Sequence, residues 1–329
     1  MNNLIQTVTA ALSDPVTGGM ILAIFVALVI SWVVSHLLGR SGRISAKRYD
    51  ELIKRIRSWF VIILAIIAPI LLGRAATIFG VFLLSAYCFR EYSRATGLFR
   101  DRLICALVIL GMGCVMFANL DHWYGLFAAL APLVVISIAA FPIFQDRPQG
   151  YLQRVALGIL GFMLFGYSFA HLGFIANDRS FRAVILMVIV TVEANDIFAY
   201  LCGSLFGKKK LVPNTSPGKT IAGAVGALIL TALLTLALGR LIFSGTRLDE
   251  PMLLLLLGVI ISLTGQLGDL VLSSIKRDLG VKDLGASIPG HGGLLDRFDS
   301  LTLVAPAVFH YIGYFVGFGL DQPVRIFTS

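Results

Sequence analysis

Residues 20–38 read MILAIFVALVISWVVSHLL, a stretch that contains no Asp, Glu, Lys or Arg. About 20 apolar residues in a helix are enough to cross the ~30 Å hydrocarbon core of a bilayer. Comparable stretches occupy residues 103–120 and 252–275, and the whole chain is 57% hydrophobic and 14% charged. Soluble globular domains carry roughly 25% charged residues. The sequence therefore predicts an integral membrane protein made of helices, which satisfy their own backbone hydrogen bonds in lipid.

The order of apolar segments predicts an all-α bundle of about ten membrane-spanning helices. They lie near residues 18–38, 59–73, 75–91, 103–120, 123–144, 155–176, 183–206, 221–243, 251–275 and 301–320. The break around Arg74 is the least marked, because one charge beside Gly73 separates two apolar segments. A single bent helix there would invert the orientation of every earlier span. The first seventeen residues lack the basic n-region of a cleavable signal peptide, so the first span is expected to be retained.

The formal net charge of +9 is distributed unevenly along the chain. Of the 27 Lys and Arg residues, 21 lie in or beside alternate connections between the predicted spans. The positive-inside rule places those connections in the cytoplasm and both termini outside. The basicity thus reflects membrane orientation, and no nucleic acid is expected as a partner. The basic segment 39–58 is either an amphipathic helix on the anionic leaflet or a solvated loop.

No linker, low-complexity segment or internal repeat divides the sequence, which predicts one integrated membrane domain. Within it we distinguish an N-terminal transmembrane region, residues 1–190, from a C-terminal transmembrane region, residues 191–329. The second region carries two polar loops at 207–219 and 276–300, which are expected to be cytoplasmic. The four cysteines form no C-x-x-C pair, which argues against a zinc site and a disulfide framework.

Polar residues concentrate in one segment of the C-terminal region. Residues 273–299 read SSIKRDLGVKDLGASIPGHGGLLDRFD. A magnesium-bound polyphosphate needs this mixture, because carboxylates hold the hard cation and Lys or Arg neutralise phosphate oxygens. Glycines let backbone N–H groups approach the same oxygens. The candidate residues are Lys276, Arg277, Lys282, Arg297, Asp278, Asp283, Asp296, Asp299, Gly290, Gly292 and Gly293.

Ionisable and amide side chains also lie inside predicted spans. Gln266 and Asp269 interrupt the ninth span, and Glu193, Asn195 and Asp196 interrupt the seventh. An ionisable residue in lipid is costly unless it faces a partner or water, so these positions indicate a functional site. The alternative interpretation is polar pairing between neighbouring helices.

The loop between the seventh and eighth spans is punctuated by Gly and Pro. Residues 203–223 read GSLFGKKKLVPNTSPGKTIAG. The G-K-T sequence resembles the end of a P-loop, but Pro213 occupies the position of the first glycine, which excludes that motif. Ser216, Lys219 and Thr220 can still donate to a phosphate at the start of the eighth span, where the helix N-terminus adds N–H groups.

Residues 273–299 resemble the signature of phosphatidate cytidylyltransferases, also called CDP-diacylglycerol synthases. The signature is S-x-x-K-R-x(4)-K-D-x-G-x-x-x-P-x-H-G-G-x-x-D-R-x-D, and every defined position is present. A second block, D-x-x-A-Y-x-x-G-x-x-F-G, begins at Asp196, and S-P-x-K-T spans 216–220. The resemblance covers roughly residues 195–310. Two positions depart from the family pattern, since Ala222 replaces a usually acidic residue and Gly218 a usually basic or amide one.

The resemblance implies an enzyme that converts phosphatidate and CTP to CDP-diacylglycerol and pyrophosphate. It further implies Mg²⁺ as cofactor, together with a second metal or a monovalent cation. It also implies a homodimer and an active site on the cytoplasmic side of a bacterial inner membrane. Its catalytic residues would be Asp269, Asp296, Lys276, Arg277 and Lys282, its metal ligands Asp269, Asp296, Asp299 and Asp283, and its substrate-binding residues Ser216, Lys219, Thr220, Asp196, His291, Gly292, Gly293 and Arg297.

Two other functions remain compatible with the sequence. A proton-coupled transporter also has many spans and intramembrane acids, although its expected broken helices lie at the bilayer midplane, whereas the charges here gather at one surface. A CTP-dependent lipid kinase, or a cytidylyltransferase for another lipid phosphate, would keep the nucleotide and change the reaction or the lipid.

Overall fold

The computed structural model describes residues 2–42, 45–288, 292–320 and 322–328. Its helices and strands in chain order are α1 Asn2–Ser13, α2 Pro15–Arg40, α3 Ala46–Leu72, α4 Arg74–Ala95, α5 Arg102–Leu120, α6 Tyr124–Ala140, α7 Tyr151–Gly161, α8 Ser168–Ile175, α9 Phe181–Phe206, β1 Lys210–Val212, β2 Ser216–Thr220, α10 Ile221–Ile242, α11 Pro251–Asp278 and α12 Leu301–Phe315. A π-helical segment, Phe162–Tyr167, joins α7 to α8. Short 3-10 turns lie at Leu98–Arg100, Phe141–Gln145, Arg247–Asp249 and Leu295–Arg297.

Among the residues that the structure describes, eight helical segments are long and apolar enough to cross a membrane. They are Pro15–Arg40, Ala46–Leu72, Arg102–Leu120, Tyr124–Gln145, Tyr151–Ile175, Phe181–Phe206, Ile221–Ile242 and Pro251–Asp278. Helix α4 has 22 residues, but its last turns carry charged side chains, and α12 has only 15 residues, so it is shorter than the predicted span 301–320. With these two helices the order corresponds to the ten predicted spans. The all-α polytopic bundle is therefore confirmed.

The predicted break at Arg74 is real. Helix α3 ends at Leu72 and α4 begins at Arg74, and Gly73 between them has a φ of +110°, which glycine adopts without the strain that a Cβ would cause. Arg74 fixes the turn by donating from Nε to Asn177 Oδ1 at 2.7 Å and from a terminal nitrogen to the Leu120 carbonyl at 2.5 Å. The chain therefore reverses here as two separate helices.

The basic segment 39–58 differs from both interpretations of the sequence. Its described residues from Ala46 onward form the first turns of α3 and continue without interruption into the apolar part of that helix. Ser45 caps the helix by accepting a hydrogen bond from the Arg48 amide at 3.4 Å. Lys, Arg and Glu are good helix formers, so the helix begins well before its apolar part.

The structure of the two predicted polar loops, 207–219 and 276–300, differs from the prediction in two respects. Residues within the loop 207–219 form an antiparallel hairpin, in which Lys210 pairs with Thr220 and Val212 with Ser216. Helix α11 continues to Asp278, so the second polar loop begins after it rather than at residue 276. The hairpin packs against α9 and α10, which places its polar strand beside α9, the helix that carries Glu193 and Asp196.

Buried hydrogen bonds join α9, α10 and α11. Asn195 Oδ1 accepts from Thr231 Oγ1 at 3.2 Å and from Ser262 Oγ at 2.6 Å. Gln266 Nε2 donates to Ser262 Oγ at 3.0 Å and to the Ala224 carbonyl at 3.3 Å. Polar pairing between helices, the alternative left open by the sequence, is thus what the structure shows for Asn195 and Gln266.

Close backbone packing also holds α10 against α11. A Cβ at Gly258 would lie 2.5 Å from Ala232 Cα, which is backbone and has no room to move away. Gly258→Ala is expected to destabilise the protein by about 1–3 kcal/mol through overpacking. The measurement is thermal unfolding of the purified protein in detergent.

Gly113→Ala is the matched control, because a Cβ at this helical glycine meets no atom within 4 Å. This change should leave stability unchanged or raise it, since alanine favours helix over glycine. Equal stability of the two variants would contradict the close α10–α11 contact.

Candidate active site

Polar residues from distant parts of the chain meet at one end of the bundle. Glu91 near the end of α4 accepts from the Leu295 amide at 2.8 Å. Lys219 in β2 forms an ion pair with Asp269 in α11 at 2.6 Å. The end of α11 and the start of α12 enclose the polar segment between them. The predicted clustering of charged groups at a single end is thus present.

Asp296 accepts three hydrogen bonds at this end. Its Oδ1 pairs with Lys276 Nζ at 3.0 Å. Its Oδ2 accepts from the backbone amides of Leu284 at 3.1 Å and Gly293 at 3.0 Å. The side chain is buried, and one charged partner with two amides compensates the cost of removing the carboxylate from water. Asp296 therefore ties the polar loop to the end of α11.

Lys276 also approaches Asp299, whose Oδ2 lies 3.9 Å from Nζ. Asp299 is buried, and its Oδ1 accepts from the Ser300 amide at 2.8 Å. Burial raises the pKa of Asp299 above the usual range, and the negative charges of Asp269 and Asp196 raise it further, while the Lys276 ammonium lowers it. These influences show that the three carboxylates share one electrostatic environment.

Asp269 lies at the junction of α11 and the hairpin. Its Oδ1 accepts from Ser273 Oγ at 3.1 Å, one helical turn further along, and its Oδ2 pairs with Lys219. Arg277 Nε donates to the Thr215 carbonyl at 3.1 Å, which fastens the hairpin to the last turn of α11. The hairpin thus positions the Lys219 side chain next to the carboxylate of Asp269.

Thr220, predicted to contact phosphate, caps α10 in the structure. Its hydroxyl oxygen accepts from the Gly223 amide at 3.1 Å. The close approach of Gly203 and Gly223 to the same hydroxyl leaves little space around it. Ser216 is partly exposed at the start of β2, opposite Val212. Of Ser216, Lys219 and Thr220, Lys219 is the residue whose side chain contacts a carboxylate of the cluster, that of Asp269.

The donor set at this end suits a hard cation. Asp269, Asp299 and Asp196 provide carboxylate oxygens, the ligands that Mg²⁺ prefers, and Ser300 Oγ approaches Asp196 Oδ2 at 3.5 Å. In the part of the chain that the structure describes, no three His, Cys, Asp or Glu side chains converge closely enough to form a preassembled metal site. Asp269 and Asp296 are instead partnered by Lys219 and Lys276.

Other predicted residues lie at the edge of this cluster. Lys282 and Asp283 are exposed and form no ion pair with a described residue. Asp283 packs beside Gly292, where a Cβ would lie 3.1 Å from its Cγ, and the φ of Gly292 is +85°. Arg297 has a buried Nε without a described hydrogen-bond partner and interacts electrostatically with Glu193. His291 lies outside the described residues.

Glu91 is a residue that the sequence reasoning missed. Its Oε1 accepts from Ser287 Oγ at 2.5 Å and the Leu294 amide at 3.2 Å, and its Oε2 accepts from the Leu295 amide. Gly285 and Gly293 pack so closely on the carboxylate that a Cβ at either would come within 2.6 Å of it. A buried carboxylate at the end of a predicted span was the available signal. Its partners are mostly backbone amides, which no residue pattern reveals.

Comparison with known proteins gives one family. The cytidylyltransferase family model matches residues 53–315. An uncharacterised protein of Escherichia coli K12, YnbB, is 31% identical over 296 residues, which cover 88% of this chain and 96% of that protein. A phosphatidate cytidylyltransferase of Staphylococcus haemolyticus is 35% identical over 227 residues, covering 62% and 84% of the two chains. That of Staphylococcus saprophyticus is 48% identical over 122 residues, covering 37% and 46%.

The contacts of Glu91 predict that this residue holds the polar loop in place. Glu91→Ala should speed hydrogen exchange of the Leu294 and Leu295 amides by roughly tenfold or more, because a hydrogen bond to a charged acceptor is worth about 1.5–3 kcal/mol. Hydrogen exchange followed by mass spectrometry measures this. Glu91→Gln retains one acceptor oxygen and should have a smaller effect.

Glu51→Ala is the control, since Glu51 is exposed on α3. Exchange in the loop should be the same as in the unmodified protein. Unchanged exchange in Glu91→Ala would show that the loop is held by other contacts.

Proposed function

Because this chain belongs to the cytidylyltransferase family, we propose that it converts CTP and phosphatidate to CDP-diacylglycerol and pyrophosphate. The complete signature in residues 273–299 supports this choice of substrates, as do relatives named phosphatidate cytidylyltransferase. The observation that carries the proposal is the cluster at one end of the bundle. There Lys219 meets the partly exposed Asp269 of α11, and Lys276 meets the buried Asp296 and Asp299 of the following loop.

The reaction makes one bond to phosphorus and breaks another. A phosphate oxygen of phosphatidate attacks the α-phosphorus of CTP, the bond from that phosphorus to the bridging oxygen of the β-phosphate breaks, and pyrophosphate leaves with the bonding electrons. No protein nucleophile is needed, so the protein contributes positioning and charge stabilisation. Lys276, held by Asp296 and Asp299, and Lys219, held by Asp269, are preorganised cations for the triphosphate.

Mg²⁺ is the proposed cofactor, and the oxygens of Asp269, Asp299 and Asp196 fit it chemically. Neutralisation of the triphosphate and of the leaving pyrophosphate is what Mg²⁺ supplies when bound. Asp296 already accepts from Lys276 and two amides, so we assign it first to holding the loop and Lys276 in position. Its predicted role as a direct ligand stays a prediction, as does that of Asp283 and of a second cation.

We place the active site on the cytoplasmic side of the inner membrane of a bacterium. The cluster lies at the helix ends that border the basic connections, where most Lys and Arg residues are found. CTP is a cytoplasmic nucleotide, and phosphatidate reaches this level within the inner leaflet. The homodimer implied by the family resemblance and the external location of both termini stay predictions.

Product analysis tests the proposed reaction. Purified protein incubated with CTP labelled at the α-phosphate, phosphatidic acid and Mg²⁺ is expected to yield a labelled CDP-lipid and one pyrophosphate for each lipid converted. Chelation by EDTA should stop the reaction, and added Mg²⁺ should restore it.

Release of CDP together with a phosphorylated lipid would instead show a CTP-dependent kinase. Solute transport by proteoliposomes without CTP consumption would show a transporter. Either result would overturn the proposed reaction.

Removal of one carboxylate from the cluster tests the site. Asp269→Asn should lower kcat by about 100-fold or more, the usual effect of losing one charge-stabilising group, while the protein stays folded. Steady-state kinetics with CTP and Mg²⁺ provide the measurement. Asp50→Asn is the matched control, because Asp50 is exposed on α3. Normal turnover by Asp269→Asn would remove Asp269 from the reaction.

A further inference from the structure

An apolar cavity of about 350 Å³ lies next to the polar loop. Helices α3 and α4 form one side, α8 and α9 contribute to the other, and Leu294, Phe298 and Leu301 close one part of the wall. Ligand pockets in proteins typically have volumes of ≈ 300–1,000 Å³. The size of the cavity is therefore that of a binding site rather than of a packing defect.

Leu294 and Phe298 in the cavity wall belong to the chain segment that also carries Asp296, so this segment lies between the cavity and the carboxylate–lysine cluster. Leu294 immediately follows Gly293 and donates its amide to Glu91, while Phe298 lies between Arg297 and Asp299. The same short segment thus presents polar groups to the carboxylate–lysine cluster and apolar side chains to the cavity. A molecule with a charged head at the cluster and an apolar tail would meet both surfaces at once.

The long dimension of the cavity follows α4. Thr77 and Tyr87 both line it, and ten helical residues correspond to about 15 Å. Glu91, which is bonded to the loop, lies one turn beyond Tyr87. The cavity thus extends from the level of the loop into the apolar interior of the bundle.

The walls are mostly apolar, and the polar side chains among the lining residues are those of Thr77 and Tyr87. Thr77 Oγ1 already donates to the carbonyls of Gly73 at 2.9 Å and Pro69 at 3.1 Å. The exposed side chain of Leu83 forms part of the rim, so the cavity reaches the lipid-facing surface of the bundle. A helix, which is ≈ 10–12 Å wide, is too thick for this volume, whereas a single hydrocarbon chain is slender enough.

We propose that this cavity holds one acyl chain of the lipid phosphate substrate and so determines which chain lengths the enzyme accepts. The inference rests on the proposed function for the identity of the head group. The phosphate lies at the carboxylate–lysine cluster, and the chain passes Leu294 and Phe298 and continues between α3 and α4. The second chain stays in the bilayer.

Photolabelling tests the cavity without turnover. Phosphatidic acid with a diazirine at the end of one acyl chain is incorporated into nanodiscs with the full chain, without CTP, and irradiated. Labels are expected on peptides of α3 and α4 that contain cavity residues. Val81→Trp places a large side chain in the cavity and should lower that labelling by about tenfold. A misfit of only one or two methylene groups in an apolar pocket already has an effect of this size.

Val61→Trp is the matched control. Val61 lies on α3 outside the cavity and is 69% exposed, so labelling of the cavity peptides should not change. Labelling confined to outward-facing residues, or equal in the two variants, would overturn the proposal.

Chain-length selectivity provides a second readout. In Val81→Trp, the ratio of kcat/KM for dioleoyl to that for dihexanoyl phosphatidic acid is expected to fall by about tenfold. Leu84→Ala enlarges the cavity without adding bulk. The ratio of kcat/KM for phosphatidic acid with methyl-branched chains to that for straight chains should therefore rise in this variant, even if Val81→Trp folds poorly. Unchanged selectivity in Leu84→Ala would contradict the proposal.

The two readouts distinguish failure of the cavity from failure of the reaction. Labelled cavity peptides in a protein that makes no CDP-lipid would support the acyl-chain site and refute the proposed reaction. Formation of CDP-lipid with unchanged selectivity and no cavity labelling would support the reaction and refute the acyl-chain site.

Discussion

Lys276 Nζ and Asp296 Oδ1 meet at 3.0 Å where α11 ends, and their side chains are only 11% and 2% exposed. Two charges removed from water are costly unless they remain paired. The pair is reinforced because Asp296 Oδ2 also accepts two loop amides and Lys276 reaches Asp299. The arrangement of the loop depends on this contact, since it fixes where the loop after α11 turns back toward α12 and which way the Lys276 ammonium points.

Glu91 supplies the second attachment of the same loop and comes from the N-terminal region. Its carboxylate accepts from Ser287, Leu294 and Leu295, which lie 196, 203 and 204 residues further along the chain. The family signature is therefore not a self-contained unit, because its conformation depends on α4. The proposed acyl-chain cavity lies between the same elements, so the contact that orders the polar loop also shapes its apolar wall. The N-terminal and C-terminal regions thus meet at this loop, and their description as one integrated membrane domain stays a prediction.

The sequence predicted the features that arise from local composition. The lengths of the apolar segments predicted the membrane spans, and the charge of Arg74 beside Gly73 predicted the reversal between α3 and α4. The family resemblance predicted that Asp269 and Lys276 belong to one site, and their spacing of seven residues places them on one face of α11. The early start of α3 was missed because charged helix formers extend a helix beyond its apolar part. Glu91 was missed because backbone amides far along the chain are its partners, and the capping role of Thr220 was missed because hydroxyls suit caps and phosphates equally.

A double-mutant cycle on the central ion pair tests this account most directly. Free energies of unfolding are measured by SDS titration in mixed micelles for Lys276→Gln, Asp296→Asn and the double variant. Each single change leaves an unpaired buried charge and should cost about 3–5 kcal/mol, whereas the double change removes both charges and keeps hydrogen-bonding groups. We expect the double variant to lose about 2 kcal/mol less free energy of unfolding than the sum of the two single losses. Additivity within about 0.5 kcal/mol would show that the two residues are not coupled and would contradict the account.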